Sequence, residues 1–406
     1  MQRREFLSTA ATAATTATAA TAATATLALT GCPAAGPAGG PGGPPAPSRT
    51  SPTQLATGAD NGGPVPPGQL PDVKLYVGTQ RGPTSSKMLQ FVKRHGVDHI
   101  CGFPPAPPYP ERGYWTVEEL EKTKEACEAE GVTLDMVALP FLASSHIDRE
   151  KRGAIMLGKS PERDRDIDDI HKMTENCAKV GIPAWKYNMS LLGVLRTERT
   201  PGRGGSSYST WKLKLAQADP KLTRAGRVTE DMALERMQYF VERIMPVCDE
   251  HKIRAACHLH DPGTPPGGFQ GIERLLGTFE GIKKFIALSD SPHHGLNLCL
   301  GSMMENLENP NEEIHEVIRY FGRKKRIFNI HFRNMIGKRG DFQEVYLDNG
   351  DIDMLQVMRT LVEVEYPYMV MPDHVPRHPD DAGGLQAFAH SYGYIEALIS
   401  AIKTYG

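Results

Sequence analysis

Past residue 71 the sequence alternates between short apolar runs and longer stretches in which apolar positions recur every three or four residues. The first kind reads as buried strand and the second as amphipathic helix packed against it. Strands are predicted at Val73–Gly78, Val97–Gly102, Val132–Leu139, Ala184–Met189, Ile253–His258, Gly295–Leu300, Ile327–Phe332 and Tyr368–Met371. Helices are predicted at Ser85–His95, Val117–Glu130, Ile167–Val180, Ala233–His251, Ile272–Leu288, Glu312–Phe321, Ile352–Glu365 and Tyr392–Tyr405. Thr116 and Glu119 have capping-box spacing before the second helix, and Gly131, Gly181 and Gly322 stand where a helix C-cap would. Eight strand–helix units over about 330 residues predict an α/β fold, a (β/α)8 TIM barrel with its chemistry at the C-terminal strand ends. One stretch breaks the rhythm after the fourth strand, from Arg196-Thr197-Glu198-Arg199 through Gly202-Arg203-Gly204-Gly205 to Gly226. A basic, glycine-containing loop on the active face reads as a lid or an anion-binding loop.

Composition narrows the class without naming the chemistry. The 406 residues are 40% apolar with a formal charge of −2, which supports a sizeable core and gives no global pull toward nucleic acid or anionic membrane. The seven cysteines form no CxxC pair or zinc-finger pattern, and Cys101, Cys257 and Cys299 fall in strand-like runs where a core thiol is the ordinary reading. The start of the chain is different in kind. Arg3-Arg4-Glu5-Phe6-Leu7 has the paired arginines of a twin-arginine export signal, a bland Ala/Thr run follows, and Leu29-Thr30-Gly31-Cys32 resembles a bacterial lipobox. Three regions are therefore expected: an export signal over 1–32, a Pro/Gly-rich tether over 33–71 that cannot bury enough surface to order itself, and a catalytic barrel over 72–406. Export with a lipid anchor at Cys32 would make the membrane contact a tethered one.

The last four strands share a distinctive ending. Ile253–Cys257 runs into His258, Leu296–Leu298 into Cys299, Ile327–Ile330 into His331, and Tyr368–Pro372 into Asp373 and His374. Singly, each has an ordinary structural reading as a core histidine, an inert thiol or a helix-capping carboxylate. Four consecutive strand ends bearing ligating groups point instead to a shared metal site. A thiolate and two imidazoles suit zinc or ferrous iron, and the carboxylate also accepts manganese. Four protein ligands would close a tetrahedral zinc, so catalysis calls for an ion that expands to five or six ligands. Alternation turns His374 away from Asp373, toward a role as acid or base. Arg333 shares the face of His331 and would either fork a substrate carboxylate or pair with Asp261 or Asp373.

These residues sit in motifs that resemble the mannonate dehydratase family, a metal-dependent barrel related to the xylose-isomerase-like enzymes. The likeness covers Cys257-His258-Leu259-His260-Asp261-Pro262, Leu298-Cys299-Leu300-Gly301-Ser302, Asn329-Ile330-His331-Phe332-Arg333, Asn349-Gly350-Asp351-Ile352-Asp353-Met354 and Met371-Pro372-Asp373-His374. The thiolate at Cys299 and the Pro-Asp-His run are its specific parts. The resemblance implies dehydration of D-mannonate to 2-keto-3-deoxy-D-gluconate with manganese or ferrous iron. It implies His258, Cys299, His331 and Asp373 as metal ligands, His374 and Tyr392 in proton transfer, and Arg333, Arg196, Asn188 and His260 against the substrate. Two other readings stand beside it: a sugar isomerase or epimerase of the xylose-isomerase-like class, and a non-catalytic carbohydrate-binding lipoprotein. A small sugar acid is the expected partner, nucleic acid is not, and whether the chain forms a homo-oligomer is open on the sequence.

Overall fold

The computed structural model describes residues 70–104, 110–216 and 221–406 of the chain. The export signal, Cys32 and the tether up to Gln69 lie outside the described residues. Among the described residues no helix is long and apolar enough to cross a membrane.

Twelve strands are present among the described residues, numbered in chain order: β1 (Tyr76–Val77), β2 (His99–Gly102), β3 (Thr133–Ala138), β4 (Ala184–Asn188), β5 (Glu198–Pro201), β6 (Ser207–Lys212), β7 (Arg254–His258), β8 (His294–Cys299), β9 (Ile327–Phe332), β10 (Asn334–Lys338), β11 (Asp341–Val345) and β12 (Met369–Pro372). Eight of them lie side by side in the order β1, β12, β9, β8, β7, β4, β3, β2, with every neighbouring pair parallel. These are the eight strands that the apolar runs predict. Only one bridge joins the two ends of the sheet: Thr79 pairs with Ile100, and the Cys101 N–H donates to the Thr79 carbonyl at 2.8 Å. The result is a nearly closed TIM barrel.

Ten α-helices accompany the strands among the described residues: α1 (Ser86–Lys93), α2 (Val117–Ala129), α3 (Ala154–Leu157), α4 (Glu162–Val180), α5 (Glu230–His251), α6 (Phe279–Ile286), α7 (Leu300–Met304), α8 (Pro310–Arg323), α9 (Met354–Glu363) and α10 (Leu385–Tyr405). The capping box at Thr116 and Glu119 forms as its spacing predicts, and Gly181 ends α4 in the left-handed region at φ 79°. Gly322 does something else. It lies inside α8, where a Cβ would come within 2.5 Å of the Val364 side chain, so its smallness serves packing and not capping. The sixth helix is shorter than expected because Ile272 is held in bridges to Val228 and Phe269, leaving Thr278 to cap α6. The last helix begins at Leu385 and not at Tyr392, since Asp381 accepts from the N–H groups of Gln386 and Ala387 and starts it earlier.

The main difference from the sequence reading lies on the active face. The excursion after β4 forms the antiparallel pair β5–β6, which joins the β10–β11 hairpin from the loop after β9 in a four-stranded sheet of order β10, β11, β6, β5. Ser207 also bridges to Arg377 in the loop after β12, tying this sheet to the last strand end.

Two apolar clusters hold the barrel. The larger one packs helix faces such as Phe240, Val241 and Ile244 of α5 and Val357 and Leu361 of α9 against the outer faces of the strands. Each such side chain contributes roughly 1.5–3 kcal/mol by leaving water. The smaller contains Cys101, Met136, Ala184, Ala256, Met369 and Met371. Side chains alternate along a strand, so the residues two positions further toward the C-terminal end share the face of this cluster. Those residues include Lys186, His258 and Asp373.

Candidate metal centre and active site

Strand register brings the four candidate ligands to one level. His258 pairs with both Asn188 and Asn297, Cys299 pairs with His331, and His331 pairs with Met371, two residues before Asp373. One ligand atom from each of His258, Cys299, His331 and Asp373 then lies within 4.8 Å of every other. His258 Nε2 stands 3.2 Å from His331 Nδ1, His331 Nδ1 stands 3.5 Å from Asp373 Oδ2, and Cys299 Sγ stands 3.8 Å from the same oxygen.

Neighbouring groups fix the orientation of these donors. His258 Nδ1 donates to the Leu259 carbonyl at 2.6 Å, which leaves Nε2 as a bare acceptor facing the cluster. The Asn297 amide sits 3.2 Å from His331 Nε2, and Asn329 holds Asn297 at 3.0 Å. Cys299 is the N-cap of α7, so its sulfur accepts from the Ser302 N–H at 3.4 Å, and Arg333 Nη2 approaches it at 3.6 Å. Two donors aimed at a buried sulfur suit a thiolate. Burial holds the His258 imidazolium down despite the Asp373 charge. Burial would raise the Asp373 carboxyl, but His374, His331 and Arg333 outweigh it and hold Asp373 well below the usual carboxylate range. The donor set is therefore two imidazoles, a supported sulfur and an ionised carboxylate, with one ligand atom of each close to the others. A divalent cation fits that chemistry.

The arginines expected at the substrate are placed elsewhere. Arg333 is 1% exposed and reaches Asp261 at 2.9 Å, Glu305 at 3.2 Å and Glu344 at 2.5 Å. Arg196 meets Asp261 at 2.7 Å and Glu305 at 3.2 Å, and also contacts Glu344. Neither lines the cavity described below. The basic loop is thus anchored by a buried ion cluster and does not present a free arginine at its base. Against burial, the Arg196 and Arg333 guanidinium groups hold Asp261 well below its ordinary range, and His374 followed by Arg333 and Arg196 brings Glu344 down to about 2. Glu305 is then surplus, and burial pushes its carboxyl well up.

A cavity of about 540 Å³ is lined by three of the four donors, His258, His331 and Asp373. Its lining includes the polar groups His258, Asn297, His331, Asp373 and His374 and the apolar side chains Phe103, Trp115, Leu139 and Leu142. His374 stands between the cavity and the ion cluster. Its Nδ1 donates to Glu344 Oε1 at 2.6 Å, and its Nε2 lies 3.7 Å from Asp373 Oδ2. Burial disfavours the imidazolium, but the Asp373 and Glu344 carboxylates prevail and raise it to about 9. Asn188 also lines the cavity, donating to Ser144 at 2.8 Å with its amide 3.4 Å from His258 Nδ1.

Besides the two arginines, His260 and Tyr392 also do not line the cavity. His260 is 4% exposed and faces a separate small cavity lined by Met156, Met189 and Met237. The adjacent Asp261 lines the larger cavity instead. Tyr392 is fully buried on α10, its hydroxyl shared with Thr79 at 2.7 Å and its ring beside Phe91 and Phe388. Its place is the packing between α10 and the end of β1, and it does not line the cavity.

Sequence reasoning missed Lys186, Gln80, Glu305 and Glu344. Lys186 and Gln80 line the cavity, and Gln80 donates to Asp373 Oδ1 at 2.8 Å. A signal existed for Lys186, two positions before Asn188 on an otherwise apolar strand. For the two glutamates, far apart in helix and hairpin sequence, there was none.

Comparison with known proteins adds a family to this geometry. A family model for D-mannonate dehydratase (UxuA) matches residues 209–406. The mannonate dehydratase of Shouchella clausii is 30% identical over 294 residues, covering 64% of this chain and 77% of that protein. That of Thermotoga neapolitana is 29% identical over 295 residues, covering 64% of this chain and 78% of the relative. The crystal structure of mannonate dehydratase from Streptococcus suis superposes with a TM-score of 0.70 at 24% identity, covering 81% of this chain and 95% of that one, a likeness of fold.

Proposed function

Because the chain belongs to the mannonate dehydratase family, we propose that it is a hydro-lyase converting D-mannonate to 2-keto-3-deoxy-D-gluconate and water. The observation that carries this reading is the convergence of four cation-seeking donors, three of which, His258, His331 and Asp373, line a cavity large enough for a six-carbon acid.

His258, Cys299, His331 and Asp373 would hold the ion, manganese or ferrous iron before zinc, because four protein ligands leave a tetrahedral ion no position for substrate. When bound, such an ion supplies Lewis acidity toward a substrate carboxylate and the charge that develops beside it. The reaction breaks the C2–H and C3–O bonds: the C2 proton passes to a base at the cavity, and the electron pair it leaves forms the C2–C3 double bond as the C3 oxygen departs. The C3 hydroxyl departs with a proton as water, and the enol left behind tautomerises to the 2-keto acid. A hydroxyl leaves poorly unless it is protonated, and His374 is built to supply that proton. It lines the cavity, and Glu344 holds its far nitrogen so that the imidazolium form and the ring orientation are both fixed. Arg333 shares that Glu344 carboxylate and acts as a positioning residue for His374 and Cys299. Asn188, held by Ser144, offers an amide to a substrate hydroxyl.

The same proposal places the enzyme beyond the cytoplasmic membrane, on the strength of the paired arginines and the Cys32 lipobox in the sequence. Intact-mass measurement of the protein from its native host should find a chain beginning at a lipidated Cys32; an unprocessed chain would remove this part of the reading.

The test of function is incubation of Mn(II)-loaded protein with D-mannonate, its hexonate epimers and the corresponding aldoses and ketoses. A keto-deoxy product from a hexonate is the expected outcome. Interconversion of neutral sugars without loss of water would instead identify an isomerase or epimerase.

A further inference from the structure

We propose that Lys186 recognises the substrate carboxylate and so selects an acid over a neutral sugar; the inference rests on reading the cavity as a sugar-acid site. On β4, Ala184, Lys186 and Asn188 share one side of the strand by alternation. Ala184 belongs to the small apolar cluster and Asn188 to the cavity wall, so the Lys186 side chain follows the same face into the cavity, where it is the only lysine or arginine among the lining residues.

The two nearby arginines are both engaged by buried carboxylates. Lys186 has no carboxylate within ion-pair distance among the described residues. Its ammonium meets the side-chain carbonyl of Gln80, with the Phe103 ring at 5.6 Å. The Gln80 amide in turn donates to Asp373 Oδ1 at 2.8 Å. Lys186 is thus one side chain away from the four-donor cluster and holds a neutral partner that an anionic oxygen can replace.

The surroundings make the replacement favourable. Phe103, Trp115, Leu139 and Leu142 form an apolar wall, against which an unpaired carboxylate would be strongly disfavoured. An ammonium facing it supplies a charge-assisted hydrogen bond, whereas a hydroxymethyl or aldehyde group gains far less there. The carboxylate is also where negative charge grows once the C2 proton leaves, so the same contact strengthens along the reaction.

The experiment compares the full-length wild-type protein, Lys186→Met, which keeps the alkyl stem, and Lys186→Arg, which keeps the charge. All three are loaded with Mn(II) and matched for thermal melting. Calorimetric binding of D-mannonate and of D-mannitol gives an acid-over-neutral ratio that needs no turnover. Lys186→Met should lower that ratio by about 10- to 100-fold, raise the hexonate KM by a similar factor with a smaller change in kcat, and leave D-mannitol binding unchanged, while Lys186→Arg restores most of the ratio. An unchanged ratio in Lys186→Met, or a wild-type protein that does not favour the acid, would overturn the inference. Wild-type protein that prefers the acid, loses that preference on Lys186→Met and turns over no hexonate would uphold Lys186 while overturning the lyase reading.

Discussion

Two buried clusters of polar side chains lie against each other on the active face, and they differ in what they contain. One holds Arg196 and Arg333 with Asp261, Glu344 and Glu305, so its cations are its own. The other holds His258, Cys299, His331 and Asp373, all acceptors converging on one point. A buried charge is tolerable when a partner of opposite sign comes with the fold. The first cluster meets that condition with arginines of its own, whereas the second has no lysine or arginine among its members and finds positive charge only at its border, where His374 and Arg333 each lie 3.7 Å from Asp373. Arginine-bearing clusters next to a site are thus better read as scaffolding, and cation-free donor clusters as binding centres.

His374 joins the two clusters, so substituting it separates chemistry from support. His374→Gln keeps a group able to meet Glu344 but cannot deliver a proton to a leaving hydroxyl. Its kcat should fall by about 10²–10⁴-fold while bound metal and melting temperature stay near wild type. Loss of metal along with activity would show instead that His374 belongs with the donors.

Breaking the self-neutralised cluster should act on the fold. Arg333→Met strands three buried carboxyl groups and is expected to destabilise the protein by about 3–5 kcal/mol in urea or thermal unfolding. A near-neutral effect would mean that water or a shift of Arg196 compensates, and the contrast between the clusters would weaken. Tyr392→Phe is the smallest of these changes. It removes one buried hydrogen bond to Thr79, so about 1 kcal/mol of stability should go with kcat unchanged, and a large fall in kcat would return Tyr392 to the chemistry.

Legibility in the sequence followed the range of the interactions involved. The eight barrel strands are continuous apolar runs, and their ends at His258, Cys299, His331 and Asp373 are visible because parallel strands buried on both faces tolerate few polar residues. The second sheet was not visible. β5 and β6 read Glu-Arg-Thr-Pro and Ser-Tyr-Ser-Thr-Trp-Lys, with little apolar periodicity, and β6 finds β11 about 130 residues further on. Arg196 and Arg333 were legible as functional-looking arginines, but their partners Glu305 and Glu344 come from a helix end and from that unforeseen sheet. A lone motif match cannot tell an arginine that faces substrate from one that faces a buried glutamate. Tyr392 lies within a helix that starts at Leu385, earlier than the apolar pattern indicates, and its side chain is buried.

The central claim is that one divalent ion sits among His258, Cys299, His331 and Asp373, and cobalt substitution addresses it directly. Co(II)-loaded wild-type protein should bind one ion per chain and show a thiolate-to-cobalt charge-transfer band in the near ultraviolet. Cys299→Ser should lose that band while keeping the barrel's circular dichroism. A wild-type protein that takes up no stoichiometric metal, or a band that survives Cys299→Ser, would contradict the account.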